Sequence, residues 1–129
     1  VRTLTPHMRD LAEERLRQIA TGIAASYGAT ADVNYQRSYP VTVNHPFETA
    51  IAGDSAALTA GEEQVDRAVD PMMGGEDFAY MLEARPGAFI FIGNGDSASL
   101  HHPAYDFNDE VIPYGISYWV NVAERALAA

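Results

Sequence analysis

Residues 72–109 read MMGGEDFAYMLEARPGAFIFIGNGDSASLHHPAYDFND, and three features in them govern how the rest is read. Gly74-Gly75-Glu76-Asp77 sets a glycine pair before two acids. Residues 88–93, AFIFIG, are a continuous apolar run of strand length, the pattern of a strand covered on both faces. His101-His102 follows in a loop boxed by Pro103 and by acids. Strand, polar loop and helix is the order in which α/β folds place their sites, at the carboxyl end of a buried strand. The expectation is therefore an α/β chain with the histidines in its site loop.

The flanking sequence carries the same expectation. Thr5-Pro6 offers an N-cap oxygen and a first-turn proline. Leu11, Leu16, Ile19, Ala20, Ile23, Ala24 and Tyr27 then recur at helical spacing until Gly28, a left-handed cap. Residues 31–39 alternate, with Val33, Tyr35, Arg37 and Tyr39 on one side and Asp32, Asn34, Gln36 and Ser38 on the other, which predicts a strand with one buried face. With an extended opening at Val1 to Leu4, the first forty residues predict strand, helix, strand, half of a two-layer α+β sandwich.

A second helix is predicted from Asn44-His45-Pro46 to Gly61, carrying Phe47, Ala50, Ile51, Asp54 and Leu58, and a short strand at 64–69. A short helix at 75–84 turns Phe78, Met81 and Leu82 inward and stops at Pro86-Gly87. Asn108-Asp109 caps a last helix whose buried stripe is predicted as Ile112, Ile116, Trp119, Val120, Ala123 and Leu127.

Composition narrows the function classes. A chain of 129 residues with 47% hydrophobic and 20% charged side chains falls in the globular range. Its net charge of -10, from 8 basic and 18 acidic residues, opposes a nucleic-acid or anionic-membrane surface. No apolar run has the length of a membrane span, so a cytoplasmic protein is the expectation. The absence of cysteine excludes disulfides and thiolate metal sites. The opening Val1-Arg2-Thr3-Leu4, without Met, reads as the inside of a strand, and a piece of a larger protein is expected.

Two constellations are candidates for chemistry. Either His101 or His102 suits a metal-ligand role, because neutral imidazole is a common zinc donor, and Asp106 or Asp109 could orient it. A solvated surface loop is the alternative, and one histidine makes no metal site, since zinc needs three or more protein donors. At Gly74-Gly75-Glu76-Asp77, bare backbone could approach a ligand, while helix capping explains the acids equally well. His7 and His45 are expected to be exposed and idle, and Arg2 and Arg37 are weaker candidates for carboxylate binding.

GGEDFAYMLEARPGAFIFIGNG, then LHHPAYDFND, then IPYG resembles the carboxyl-terminal portion of the hippurate hydrolase and N-acyl-amino-acid amidohydrolase family, which are zinc-aminopeptidase-like metallohydrolases. The opening VRTL, the helix after it and the strand ending RSYP resemble the second half of that family's lid or dimerisation domain. The resemblance implies a division into residues 1–40, half of the lid, and residues 41–129, the end of the catalytic domain. It implies amide hydrolysis of small N-acyl amino acids or peptide-like amides by metal-activated water, and a homodimer formed through the lid. The metal would be divalent, zinc foremost, with manganese, cobalt or nickel as alternatives.

In that pattern His101 is the last metal ligand, and His102 stands where the family usually has a small hydroxyl residue. Gly74, Gly75 and Glu76 border the substrate pocket. The family's amino-terminal metal motifs and its glutamate base have no counterpart in these residues, so the resemblance implies one ligand of the site and no catalysis by this chain alone. A non-catalytic dimerisation or interaction module is the competing expectation.

Overall fold

The computed structural model describes residues 1–128. Four α-helices form: α1 (Pro6–Ser26), α2 (Pro46–Ala60), α3 (Phe78–Ala84) and α4 (Ile112–Leu127), with 3-10 turns at Glu62–Gln64 and Asp109–Val111. They fall into two units, Val1–Val43 with Asp70–Arg85, and Asn44–Val69 with the chain from Pro86 onward.

The helices begin and end for local reasons. Thr5 Oγ1 accepts the Met8 N–H at 3.2 Å, and Pro6 occupies the first turn, where no N–H is needed. At the other end Gly28 takes φ 69, and Gly28 and Ala29 donate to the Ala25 and Ala24 carbonyls, the paired bonds of a Schellman cap. Pro46 opens α2, and Gly61 at φ 93 closes it.

The α/β expectation is corrected here: among the described residues the chain is all helical, with no strand. Residues 31–39, 64–69 and 88–93 do not join a ladder. The alternation in 31–36 is nonetheless visible in burial, with Ala31, Val33 and Tyr35 half-buried between exposed neighbours. What is missing is backbone pairing. A periodic pattern reports which side chains turn inward, whereas a ladder needs a second backbone at about 4.8 Å. In the first unit side chains of α1 take that place. Arg17 Nη1 donates to the Val33 carbonyl at 2.7 Å, and Arg9 Nη2 donates to the Ser38 carbonyl.

The same segment is tied to α1 by charge. Glu13 accepts from Arg37 Nε at 2.7 Å and from Arg17 Nη2 at 3.0 Å, and Asp10 pairs with Arg37 at 2.7 Å. The Arg37 guanidinium, and after it Arg17, holds the Glu13 carboxyl below the ordinary carboxylate range.

In the second unit α2 packs on α4. Asp54 meets Arg125 at 2.9 Å and Thr59 meets Asn121 at 3.0 Å, so the two helices run antiparallel. The helix pair buries Ala52, Ser55 and Tyr118, with Ser55 at 0% exposure. Ser55 donates to the Ile51 carbonyl at 2.7 Å, which satisfies its hydroxyl inside the helix. Asp54 also holds Arg67 at 3.1 Å, and Arg67 lies so close to Gly53 that a Cβ there would stand 2.6 Å from its guanidinium.

The stripe expected to be buried on α4 is not the one that packs. Tyr118 is buried, with Gly115 and Val122 half-buried beside it, whereas Trp119 is 66% and Leu127 83% exposed. Ile112, Ile116 and Val120 share that open face. Both stripes recur at helical spacing, so periodicity alone could not rank them. On α1 likewise, Leu11, Ala20 and Ala24 are half-buried while Ile19, Ile23 and Tyr27 are exposed. No helix among the described residues is long and apolar enough to cross a membrane.

Two measurements check this packing. Ser55→Leu, which forces extra carbons into a closed helix interface, is expected to lower unfolding stability by about 1–3 kcal/mol, read by urea denaturation. For Glu13 the sign follows from its depressed pKa: its contribution is complete above the unfolded carboxyl pKa and is lost as pH falls through the folded one. The stability difference between wild type and Glu13→Gln is therefore expected at neutral pH and should shrink steadily below the usual carboxylate range.

Candidate functional site

The histidines lie in a loop built from short turns. Ser99 accepts the His102 N–H at 3.1 Å, closing a four-residue turn in which His101 occupies the third position at φ 66. That position of a turn often requires positive φ and is usually filled by glycine or asparagine. His101 is the only non-glycine residue with positive φ among those described. A side chain is thus retained at a place where the backbone favours none.

His102 has a different occupation. Its Nδ1 accepts the Ala104 N–H at 3.0 Å, and its carbonyl accepts the Tyr105 N–H at 2.9 Å. Its imidazole braces the turn, although both histidines are exposed. The geometry thus separates two neighbours that residue type could not.

The base of the loop is closed by Asn94, whose Nδ2 donates to the Asp106 carbonyl and whose Oδ1 accepts the Asn108 N–H, both at 2.8 Å. Residues 94–98, 104 and 106–110 surround an open depression of about 610 Å³, with Asp96, Asp106, Asp109 and Glu110 on its walls. Among the described residues, no three His, Asp or Glu side chains come together as a metal-binding group. Since zinc takes three or more protein donors, these residues do not by themselves fit a complete metal centre.

Gly74, Gly75 and Glu76 belong to the first unit, and His101 to the second. A Cβ on Gly74 would meet nothing within 4 Å, and one on Gly75 would stand 3.4 Å from Tyr39 and 3.7 Å from Arg2. Neither glycine has positive φ. Within this chain, then, neither crowding nor backbone conformation demands a glycine pair. Arg2 Nη1 donates to the Met73 carbonyl at 2.6 Å, and Tyr39 meets Tyr80 edge-on with centroids 6.0 Å apart. Arg2 therefore lies against the glycine loop. Glu76 Oε1 accepts the Phe78 N–H at 3.2 Å at the start of α3, while Asp77 makes no side-chain cap bond.

Three asparagine and histidine side chains do more than their sequence suggested. Asn44 bonds both the N–H and the carbonyl of Phe89 at 2.8 Å. His45, expected to be exposed and idle, is half-buried; its Nδ1 accepts the Gly87 N–H at 3.2 Å, and its own N–H reaches the Gly87 carbonyl at 3.0 Å. Asn94 closes the histidine loop. The available signal was position: each sits at an edge of an extended or apolar run, where backbone groups need partners.

The strain at His101 yields a test. His101→Gly is expected to stabilise the chain by about 1 kcal/mol, because glycine adopts positive φ at no steric cost, whereas His101→Ala should give no such gain. Denaturant titration of the two variants reads the difference, and an equal effect of both would remove strain as an explanation.

The profile of the peptidase family M20/M25/M40 matches residues 6–125. The putative amidohydrolase YhaA of Bacillus subtilis is 36% identical over 116 residues, which cover 86% of this chain and 29% of that protein. The N-acetyldiaminopimelate deacetylase of Streptococcus thermophilus is 37% identical over 120 residues, 91% of this chain and 31% of that protein. The hippurate hydrolase of Campylobacter jejuni is 31% identical over 127 residues, 98% of this chain and 33% of that protein. The chain thus spans about a third of the length of these curated relatives. No solved structure matches it. With nearly its whole length matched by one family profile, this chain belongs to the peptidase family M20/M25/M40.

Proposed function

We propose that the chain is the carboxyl-terminal part of a metal-dependent amidohydrolase that releases amino acids from N-acyl amino acids. Residues 1–40 are the second half of its lid, and residues 41–129 the end of its catalytic domain. The observation that carries the reading is the match across residues 6–125, joined by relatives named as hippurate hydrolase, N-acetyldiaminopimelate deacetylase and N-acetylcysteine deacetylase. Those names share the amide bond of an N-acyl amino acid.

His101 is the metal ligand in this reading, supported by its exposed place at a positive-φ turn position and by the separate engagement of His102. The metal is a divalent cation, zinc foremost. Gly74, Gly75 and Glu76 are the substrate-side residues, supported by the open space beside Gly74. The general base and the remaining ligands belong to other parts of the enzyme, and this chain alone does not catalyse.

A second reading, a dimerisation module, draws on the exposed Ile19 and Ile23 of α1 and Tyr27 at its carboxyl-terminal cap, since monomers rarely leave contiguous apolar surface open. One experiment addresses both. The matched segment of the Campylobacter hippurate hydrolase is replaced by this chain, and hippurate cleavage is measured with zinc, manganese or cobalt. The chimera is expected to hydrolyse hippurate, and His101→Ala is expected to reduce kcat/KM by more than roughly 100-fold, beyond the usual loss of an outer-sphere partner. A chimera that folds and dimerises but is inactive, or one indifferent to His101→Ala, would overturn the hydrolase reading in favour of the module.

A further inference from the structure

Residues 95–107 contain neither helix nor strand, yet His101 is held among them in one turn. The bonds inside the loop run from Ser99 to His102, from His102 to Ala104 and from His102 to Tyr105. Each spans two or three residues, so these bonds shape the tip and cannot anchor it. Among the described residues two bonds cross the neck, and both come from the Asn94 side chain: Nδ2 donates to the Asp106 carbonyl and Oδ1 accepts the Asn108 N–H. One carboxamide therefore satisfies a donor and an acceptor on the returning chain, as a neighbouring strand would. Nδ2 also reaches Ser97 Oγ at 2.8 Å, and Gly95 at φ 79 turns the chain away directly afterward. Aspartate has no N–H to give Asp106, and leucine of the same shape has neither group.

We infer that Asn94 is the positioning residue of the histidine loop, fixing its base and through it the place of the His101 imidazole. Its functional meaning rests on the reading of His101 as a site residue, whereas the latch itself is a property of the loop. Closing a loop of this length costs chain entropy that only bonds across the neck offset. Loss of Asn94 therefore loosens the loop while leaving the helices intact.

Residue-resolved amide hydrogen exchange on the 129-residue chain tests this, with Asn94→Ala and Asn94→Asp. In Asn94→Ala, exchange of the bonded amides of His102, Ala104, Tyr105 and Asn108 is expected to rise about tenfold or more, with α2 and α4 unchanged. Asn94→Asp keeps the acceptor for the Asn108 N–H, so that amide should stay protected while the rest of the loop loosens. This second variant keeps the test decisive if the alanine form does not fold. The His101 imidazole NMR signals should move in both variants while those of His45 stay, a signature that general destabilisation would not give. Unchanged exchange of these amides in Asn94→Ala, or unmoved His101 signals, overturns the latch. In the hippurate hydrolase chimera, which supplies the remaining ligands, the effect of His101→Ala on activity decides its ligand role, and the exchange result decides the latch separately.

Discussion

A buried or half-buried peptide group has to find a hydrogen-bond partner, and an extended segment outside a ladder cannot find one in its own backbone. In this chain side chains meet that requirement. Arg17 and Arg9 reach across from α1 to the carbonyls of Val33 and Ser38, Asn44 pairs with both polar groups of Phe89, His45 brackets Gly87, and Asn94 binds the chain returning at Asp106 and Asn108. Arginine and asparagine suit the task because one planar group carries several donors, or a donor beside an acceptor.

The helices themselves rest on modest packing. The buried residues of α2 and α4 are small except for Tyr118, and the ties between the two helices are polar: Thr59 to Asn121, and Asp54 to Arg125. Exposed pairs of this kind contribute little each. Meanwhile Trp119, Ile116 and Leu127 stand open on the other face of α4, and Ile19 and Ile23 on α1. The large apolar side chains thus lie mostly outside the contacts made within the chain.

The candidate site shows the same division of labour at smaller scale. His102 is consumed by the turn it braces, and His101 is left exposed at a backbone angle that a side chain tolerates poorly. At the glycine loop, Glu76 caps α3 while Gly74 and Gly75 leave bare backbone beside Arg2 and Tyr39. In each case one residue meets a structural need and its neighbour is released from it. The distinction concerns hydrogen bonds, so it could not be read from residue type.

The sequence by itself determined the four helices, because helix signals are local: the Thr5 cap, Pro6 and Pro46 in first turns, Gly28 and Gly61 at the ends. It also carried the family, through GGEDF and LHHPAYDFND. Tertiary structure decided the rest. Residues 31–39 and 88–93 have the side-chain pattern of strands, but pairing depends on a second backbone arriving, and Arg17 and Asn44 arrived instead. Which stripe of α4 faced inward depended on where α2 lay, and Tyr118 was buried rather than Trp119. Periodicity records that a face is apolar; only the neighbours that reach it decide whether it is covered.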